Sequence, residues 1–276
     1  MPELPEVETV RRGLEPALVG RVLSRVSVRR RKLRIPVPDG FEAALNNRRV
    51  TALTRRAKFL LVHLDDGNCV IAHLGMSGRF LIYAGAPPEP GPHDHVILET
   101  DAGVSVYFND PRRFGFLDLV PAHSLDRHRF LRRLGPEPLG NAFDAVLLGE
   151  RLAGRSGPVK TVLLDQSVVA GIGNIYACEA LFRAGISPRR KASNVTGMRL
   201  KRLAAAIRDV LSEAIEAGGS SLRDHRQPSG ELGYFQHQFA VYGKEGEPCP
   251  NCDCTRKISR VAQAGRSTFY CARRQR

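Results

Sequence analysis

The sequence lacks any long apolar run, and this absence excludes a membrane-spanning helix. None of its 276 residues lies in an uninterrupted apolar stretch of about 18 or more, the length that a bilayer requires. The N-terminus also lacks the layout of a signal peptide, because Glu3, Glu6 and Glu8 stand where an apolar segment is required. Internal repeats and low-complexity segments are absent too. We therefore expect a cytoplasmic, monomeric protein with no membrane partner.

Acidic residues are scarce relative to basic ones. The chain has 42 Lys and Arg against 28 Asp and Glu, which gives a formal net charge of +14. Such an excess favours a polyanionic partner, most simply nucleic acid. Charge alone does not decide the class, because ribosomal proteins, repressors and membrane-surface proteins share it.

Cysteines are few and unevenly distributed. Cys69 and Cys178 lie in apolar contexts that are typical of buried packing residues. The last 28 residues hold the other four, which are Cys249, Cys252, Cys254 and Cys271. In a reducing compartment, this clustering favours a metal site over disulfides.

The first half of the chain reads as short strands separated by turns. Apolar segments lie at 22–28, 50–53, 59–64, 69–73, 80–83, 96–99, 104–108 and 116–120. Strands spaced this closely indicate a sandwich or a barrel.

The composition changes at 134–139, where two prolines and a glycine predict a linker. Helical periodicity follows, and Gly218 and Gly219 end its clearest helix. The apolar face of that helix comprises Leu203, Ile207, Val210, Leu211, Ala214 and Ile215. The polar stretch 220–233 reads as a loop, and 258–261 and 267–270 read as the two strands of a hairpin. We expect segments at 1–133, 134–222 and 223–276.

The first residues allow two interpretations. If Met1 is removed, Pro2 carries a secondary amine, and a chain-terminal amine has a pKa of about 7.7–8.0, so that roughly a tenth is unprotonated and nucleophilic at neutral pH. Glu3 could then donate a proton. A capped amphipathic helix explains the same letters without chemistry, because Pro5 suits a first turn and the glutamates complement the helix dipole.

The opening Pro-Glu-Leu-Pro-Glu-Val-Glu-Thr at residues 2–9 resembles that of the formamidopyrimidine-DNA glycosylase family, and the resemblance extends along the whole chain. It implies base-excision repair of oxidised purines such as 8-oxoguanine and formamidopyrimidines in double-stranded DNA. It also implies that Pro2 is the nucleophile, that Glu3 is the general acid, and that β,δ-elimination follows. The implied fold is α+β, with an N-terminal β-sandwich flanked by helices, a helical helix–two-turn–helix domain and a small β-hairpin zinc-finger module.

Two loop motifs resemble the family's insertion loops. One is His-Leu-Gly-Met-Ser-Gly around Met76, and the other is Asn-Asp-Pro-Arg-Arg-Phe-Gly at 109–115. An enzyme that acts on a base within a duplex must extrude that base and fill the gap. The resemblance implies that Met76, Arg112 and Phe114 fill it, and that Arg112 faces the orphaned cytosine. Ordinary turn packing is the alternative for Met76.

Other single residues of the chain correspond to residues that have a role in the family. Lys58 corresponds to a lysine that contacts the damaged nucleotide and assists elimination, although a lysine at the start of an apolar strand is usually a surface cation. His93 corresponds to a DNA-contacting histidine, and we expect no metal there. Asn174 corresponds to a phosphate contact, with the role of helix N-cap as its alternative. Arg155 stands where a lysine is common. Arg266 corresponds to an arginine that enters the minor groove and assists the final elimination.

The C-terminal cysteines depart from the family's pattern of two pairs separated by 16 residues. Cys254 and Cys271 have that separation, so Cys254 takes the second ligand position and Cys249 takes the first. The fourth position, however, is occupied by Arg274. Cys252 could supply the missing donor. We predict one structural zinc ion with Cys249, Cys252, Cys254 and Cys271 as its ligands. A metal-free hairpin held by apolar packing is the alternative.

Two other functions remain open at this point. An endonuclease VIII type enzyme, which favours oxidised pyrimidines, usually has Gly where Leu4 stands and lacks the Asp-Pro-Arg-Arg-Phe-Gly loop. A non-enzymatic DNA-binding zinc protein would need no free N-terminal proline.

Overall fold

A computed structural model describes residues 1–220, 233–252 and 255–276. The chain forms two compact units, one comprising 1–132 and 217–234 and the other comprising 133–216 and 235–276. The three-part division that we drew from the sequence stays a prediction, and most of the loop expected at 220–233 lies outside the described residues. Within the described part of the chain, no helix is both long and apolar enough to cross a bilayer.

The first unit begins with helix α1, Leu4–Leu18. Pro5 occupies its first turn, where the missing N–H costs no hydrogen bond. One face of α1, which includes Val7, Val10 and Leu14, is buried in the core of the unit. The amphipathic helix expected from the sequence is therefore present.

Most of the rest of this unit consists of the strands β1 (Leu23–Val28), β2 (Val50–Arg56), β3 (Phe59–Leu64), β4 (Asn68–His73), β5 (Arg79–Ala84), β6 (Asp94–Thr100), β7 (Val104–Asn109) and β8 (Phe116–Pro121). They form two antiparallel four-stranded sheets, in the orders β1-β6-β7-β5 and β2-β3-β4-β8. Side chains from both sheets and from α1 share one apolar core, so the predicted β-sandwich is confirmed. The short helix α2, Phe41–Leu45, packs into the same core and was not predicted.

The second unit combines helices with one hairpin. Its helices are α3 (Ala145–Leu152), α4 (Val159–Leu163), α5 (Asn174–Ala184) and α6 (Gly197–Glu216), and its hairpin consists of β9 (Ser259–Gln263) and β10 (Arg266–Tyr270). The apolar face predicted for α6 is buried as expected. Ala264 and Gly265 have φ values of 47° and 70°, which suits a two-residue hairpin turn. Arg266 therefore stands next to the hairpin turn, paired with Gln263 and exposed to solvent.

Candidate active site

The two residues directly before α1 are buried, although one of them, Glu3, carries a carboxylate. Pro2 and Glu3 are both buried, while Met1 is exposed. The Glu3 amide donates a hydrogen bond to Glu6 Oε2 at 2.8 Å, as in a capping box. This bond fixes the direction in which the chain enters the helix, and with it the position of Pro2.

Glu6 joins this entry to a distant segment of the same unit. Its Oε1 accepts hydrogen bonds from Ser220 N and Ser220 Oγ, both at 2.9 Å, and its side chain is buried. From the sequence we assigned Glu6 only a helix-dipole role, because a partner 214 positions away leaves no local pattern. A carboxylate that accepts three hydrogen bonds is a strong anchor.

Lys58 is buried, contrary to the usual behaviour of a lysine at the start of an apolar strand. It follows Ala57, whose φ of 53° marks a tight turn between β2 and β3. Burial lowers the pKa of His73 to about 4, and the charges of Arg34 and Lys58 contribute to this lowering. A neutral histidine and a buried lysine therefore stand close together near the end of β4.

The loop at 73–78 and the loop at 109–115 lie against each other. Gly75 has a φ of +62°, and a side chain there would come within 2.3 Å of the Phe114 carbonyl carbon. Met76 and Phe114 are 43% and 44% exposed, which is unusual for large apolar side chains. The Arg112 guanidinium lies 4.8 Å from the centre of the Phe114 ring. The two predicted gap-filling loops are thus neighbours, and they present apolar and cationic groups to solvent.

Residues 93–95 contain one exposed and one buried histidine. His93 is exposed, and its carbonyl accepts a hydrogen bond from Asp110 N at 3.0 Å. His95 is buried, with Nε2 at 2.8 Å from Asp110 O. Asp94 accepts hydrogen bonds from Gly91 N and Asn109 Nδ2. His95 and Asp94 therefore serve the fold, and the His93 side chain remains available at the surface.

In the second unit, Asn174 is the first residue of α5, and the N-cap is Gly173. The alternative that Asn174 caps the helix is therefore wrong. Asn174 Oδ1 accepts a hydrogen bond from Lys160 Nζ, and its Nδ2 donates to Ser267 O at 2.9 Å.

Lys160 is fully buried, and its Nζ also donates to Thr268 Oγ1 at 2.9 Å. These bonds tie the start of α5 to β10, directly after Arg266. The sequence offered no sign of this cation, because Thr268 lies 108 positions away. Arg155 stays at the surface, where it pairs with Asp165 at 3.0 Å.

Three of the four predicted metal ligands converge. The sulfurs of Cys249, Cys252 and Cys271 all lie within 4.8 Å of one another, and Cys252 Sγ is 3.6 Å from Cys271 Sγ. Burial raises the pKa of the Cys249 thiol to about 12. Cys254 lies outside the described residues. The three thiols are close enough together to hold a metal ion.

Arg274 occupies the place in the sequence where the family has its last cysteine. Its Nε donates to Phe182 O at 3.3 Å, its Nη1 donates to Asn251 O at 3.4 Å, and the guanidinium lies 5.1 Å from the centre of the Phe182 ring. A cation thus links the cysteine-bearing turn to α5. The two remaining cysteines, Cys69 and Cys178, are buried as predicted, and burial raises the pKa of Cys69 to about 12.

Comparisons with known proteins agree along the whole chain. Residues 1–117 match the family model of the formamidopyrimidine-DNA glycosylase N-terminal domain, and residues 134–226 match that of the formamidopyrimidine-DNA glycosylase H2TH domain. The formamidopyrimidine-DNA glycosylases of Rhodospirillum centenum and Rhodospirillum rubrum are each 60% identical to the chain, over the full length of both partners.

Solved structures show the same relationship. The MutM (Fpg) protein of Thermus thermophilus superimposes with a TM-score of 0.88 at 44% identity, covering 99% of this chain and 98% of that one. Lactococcus lactis Fpg, in a complex with DNA containing an abasic site, gives a TM-score of 0.89 at 33% identity, covering 99% of each chain. The chain therefore belongs to the formamidopyrimidine-DNA glycosylase family, whose members are bifunctional DNA glycosylases and abasic-site lyases of base-excision repair.

Proposed function

We propose that this chain removes 8-oxoguanine and formamidopyrimidines from double-stranded DNA by chemistry that begins at the Pro2 amine. The observation that carries the proposal is the buried start of α1, where Pro2 and Glu3 are held by the bond from Glu3 N to Glu6. Family membership over the full length supports the same assignment.

In this mechanism, removal of Met1 frees the secondary amine of Pro2. The nitrogen lone pair attacks C1′ of the damaged nucleotide, and the bond from C1′ to the base breaks. The proline nitrogen then loses its proton, Glu3 protonates the ring oxygen, and the bond from C1′ to that oxygen breaks as the nitrogen lone pair forms the iminium. The base leaves with the bonding pair and takes up a proton. The resulting iminium withdraws electrons from the sugar, so that β-elimination and then δ-elimination release the two phosphates. Lys58 and Arg266 assist these eliminations.

The remaining site residues bind the duplex. Met76, Arg112 and Phe114 fill the gap that the extruded nucleotide leaves, with Arg112 facing the orphaned base. His93, Arg155 and Asn174 contact phosphates, and the net charge of +14 supports a large electrostatic contribution. Because the substrate is damaged DNA, the expected site of action is the nucleoid.

We also propose that the converging thiols hold one structural zinc ion, with Cys254 as the fourth donor. Tetrahedral zinc with bonds of about 2.3 Å to sulfur separates its ligand sulfurs by about 3.8 Å. The 3.6 Å between Cys252 and Cys271 fits that requirement. When bound, the ion would hold the cysteine-bearing turn to the hairpin, and it would take no part in the reaction.

Borohydride reduction tests the nucleophile. An adduct with DNA containing 8-oxoguanine should form, and its linkage should map to Pro2. A chain that retains Met1 or an N-terminal tag is the matched control, because its proline nitrogen is an amide. Trapping that survives this block would assign the nucleophile to a lysine such as Lys58 and overturn the mechanism.

Strand cleavage of three duplexes tests the substrate. We expect cleavage at 8-oxoguanine and formamidopyrimidine to exceed cleavage at thymine glycol. The presence of Leu4 and of the Asp-Pro-Arg-Arg-Phe-Gly loop favours this order. A preference for thymine glycol would instead assign the chain an activity of the endonuclease VIII type.

A further inference from the structure

We propose that Asp110 is a positioning residue that holds the loop bearing Met76 and the loop bearing Arg112 and Phe114 in one fixed relation. The proposal rests on the proposed function in one respect, namely that these three side chains fill the gap in the duplex. The Asp110 side chain reacts with nothing in the proposed mechanism.

The Asp110 carboxylate bonds to both loops at once. Its Oδ1 accepts a hydrogen bond from Ser77 Oγ at 2.6 Å, and Ser77 directly follows Met76. Its Oδ2 accepts from Gly115 N at 2.7 Å, and Gly115 directly follows Phe114. The residue is fully buried, so water does not compete for these oxygens. Each oxygen therefore restrains one of the two loops beside an exposed gap-filling side chain.

A second bond closes the connection between the loops. Ser77 Oγ, which donates to Asp110, also accepts a hydrogen bond from Arg112 N at 3.2 Å. The serine hydroxyl thus bridges the carboxylate and the backbone of the arginine. Because hydrogen bonds polarise one another in a buried chain, loss of the carboxylate weakens the bond to Arg112 as well.

The backbone of Asp110 is itself held by the sheet. Asp110 N donates to His93 O at 3.0 Å, and Asp110 O is 2.8 Å from His95 Nε2. Asp110 O also accepts from Arg113 N at 3.2 Å. The backbone position of Asp110 is therefore fixed by its neighbours His93 and His95, and its carboxylate can hold the two loops in place.

At Gly75 the two loops are in backbone contact, with no room for a side chain between them. Gly75 has no side chain, and its Cα lies against the Phe114 backbone, while Arg113 adopts a φ of 56°. Contact of backbone with backbone leaves hydrogen bonds as the directional restraint. A shift of about 1 Å in such a restraint is enough to misplace groups that must enter a narrow gap.

A role confined to stability predicts a different outcome from a role in positioning. If Asp110 only stabilises the sheet, its loss lowers the melting temperature and weakens every activity in parallel. If it positions the loops, its loss impairs reactions that require gap filling and leaves reactions on single strands unchanged, because a single strand offers no gap.

The test compares Asp110→Asn and Ser77→Ala with Thr100→Val, which removes the side-chain hydrogen bonds of a buried threonine at the other end of β6. Asn has the same shape but cannot accept hydrogen bonds on both sides, and Ser77→Ala leaves the bond from Gly115 to Asp110 intact. Three measurements are needed for each protein: the single-turnover excision of 8-oxoguanine from a duplex, the strand cleavage at an abasic site in a single strand, and the melting temperature. The fluorescence of a 2-aminopurine base placed beside the lesion reports directly on insertion of the loops into the duplex.

For both loop variants, we expect excision from the duplex to fall by about tenfold to a hundredfold, the range for one lost hydrogen bond to a charged group. The rise in 2-aminopurine fluorescence should slow in parallel, while cleavage of the single strand should match wild type. Thr100→Val should lower the melting temperature without this selectivity.

Three outcomes distinguish a failure of this proposal from a failure of the proposed function. If Phe114→Ala and Met76→Ala impair duplex excision but Asp110→Asn and Ser77→Ala do not, the role of Asp110 is refuted and gap filling stands. The role is also refuted if Asp110→Asn and Ser77→Ala lose activity equally on the duplex and on the single strand. If Phe114→Ala and Met76→Ala leave duplex excision unchanged, the gap-filling assignment itself fails.

Discussion

Replacing Glu6 with Gln should weaken the anchor of Pro2, the proposed nucleophile. The glutamate accepts hydrogen bonds from Glu3 N at one oxygen and from Ser220 N and Oγ at the other. Gln offers only one acceptor oxygen. If that oxygen serves Ser220, the amide NH₂ faces the N–H of Glu3, and one hydrogen bond is lost.

The cost follows from the burial of the site. A hydrogen bond to a charged acceptor contributes about 1.5–3 kcal/mol, and Glu6 is only 2% exposed, so water cannot replace it. For a unit of this size, such a loss lowers the melting temperature by roughly 3–12 °C. Because the lost bond lies one residue from Pro2, the rate of borohydride trapping should fall as well.

The assay pairs thermal unfolding with single-turnover trapping on DNA containing an abasic site. Glu15→Gln is the matched control, because Glu15 lies on the same helix, has a side chain that is 48% exposed and pairs with Arg11 at 3.0 Å. An exposed pair of this kind contributes about 0.5 kcal/mol or less. If Glu6→Gln unfolds at the wild-type temperature and is trapped at the wild-type rate, Glu6 does not anchor Pro2.

Four further expectations can be checked independently. Burial lowers the pKa of His73 from 6.5 to about 4, so unfolding takes up a proton at any pH between these values. The free energy of unfolding should therefore fall by up to about 3 kcal/mol as the pH drops from 6.5 to 4. A His73→Asn variant with the same pH profile as wild type would contradict this. Gly75→Ala should destabilise the first unit and slow duplex excision, because its methyl group meets the Phe114 backbone at 2.3 Å; a variant with wild-type melting and excision would disprove the contact. Purified protein should contain one zinc per chain, and Cys252→Ser and Cys254→Ser should release it equally; a ratio near zero in reducing, chelator-free buffer refutes the metal site. Affinity for duplex DNA should fall steeply with salt, and a flat response would contradict phosphate binding.

The strands were predictable because their signals are local. β3 was expected at 59–64 and is found there, since an apolar segment ends at a turn on both sides. The five residues of α2 are too few to show helical periodicity, so that helix was missed. Asn174 was a reasonable cap by residue type, but the cap lies one position earlier, and the Asn174 side chain bonds to Lys160 and Ser267.

The contacts of the buried charged residues could not be predicted from the sequence. Lys160 and Glu6 bond to partners that lie 108 and 214 positions away, so no window of sequence contains both members of either contact. For the metal site, counting positions made Cys252 the replacement for the missing fourth ligand, and its sulfur lies 3.6 Å from that of Cys271, as that prediction requires. The spacing could not give the distances between the sulfurs, because these depend on the path of the intervening backbone.

The bond from Glu6 to Ser220 also bears on the order of events during synthesis. The first unit is discontinuous: its last segment, 217–234, follows the 84 residues of 133–216 that belong to the other unit. At about 5–20 residues per second, a ribosome needs roughly 4–17 s to pass those 84 residues. Until then the nascent chain has the amine and the sandwich but not Ser220. The surroundings of Pro2, the proposed nucleophile, are therefore completed only after the helices of the second unit have been translated, and a shorter nascent chain lacks the bonds from Ser220 to Glu6.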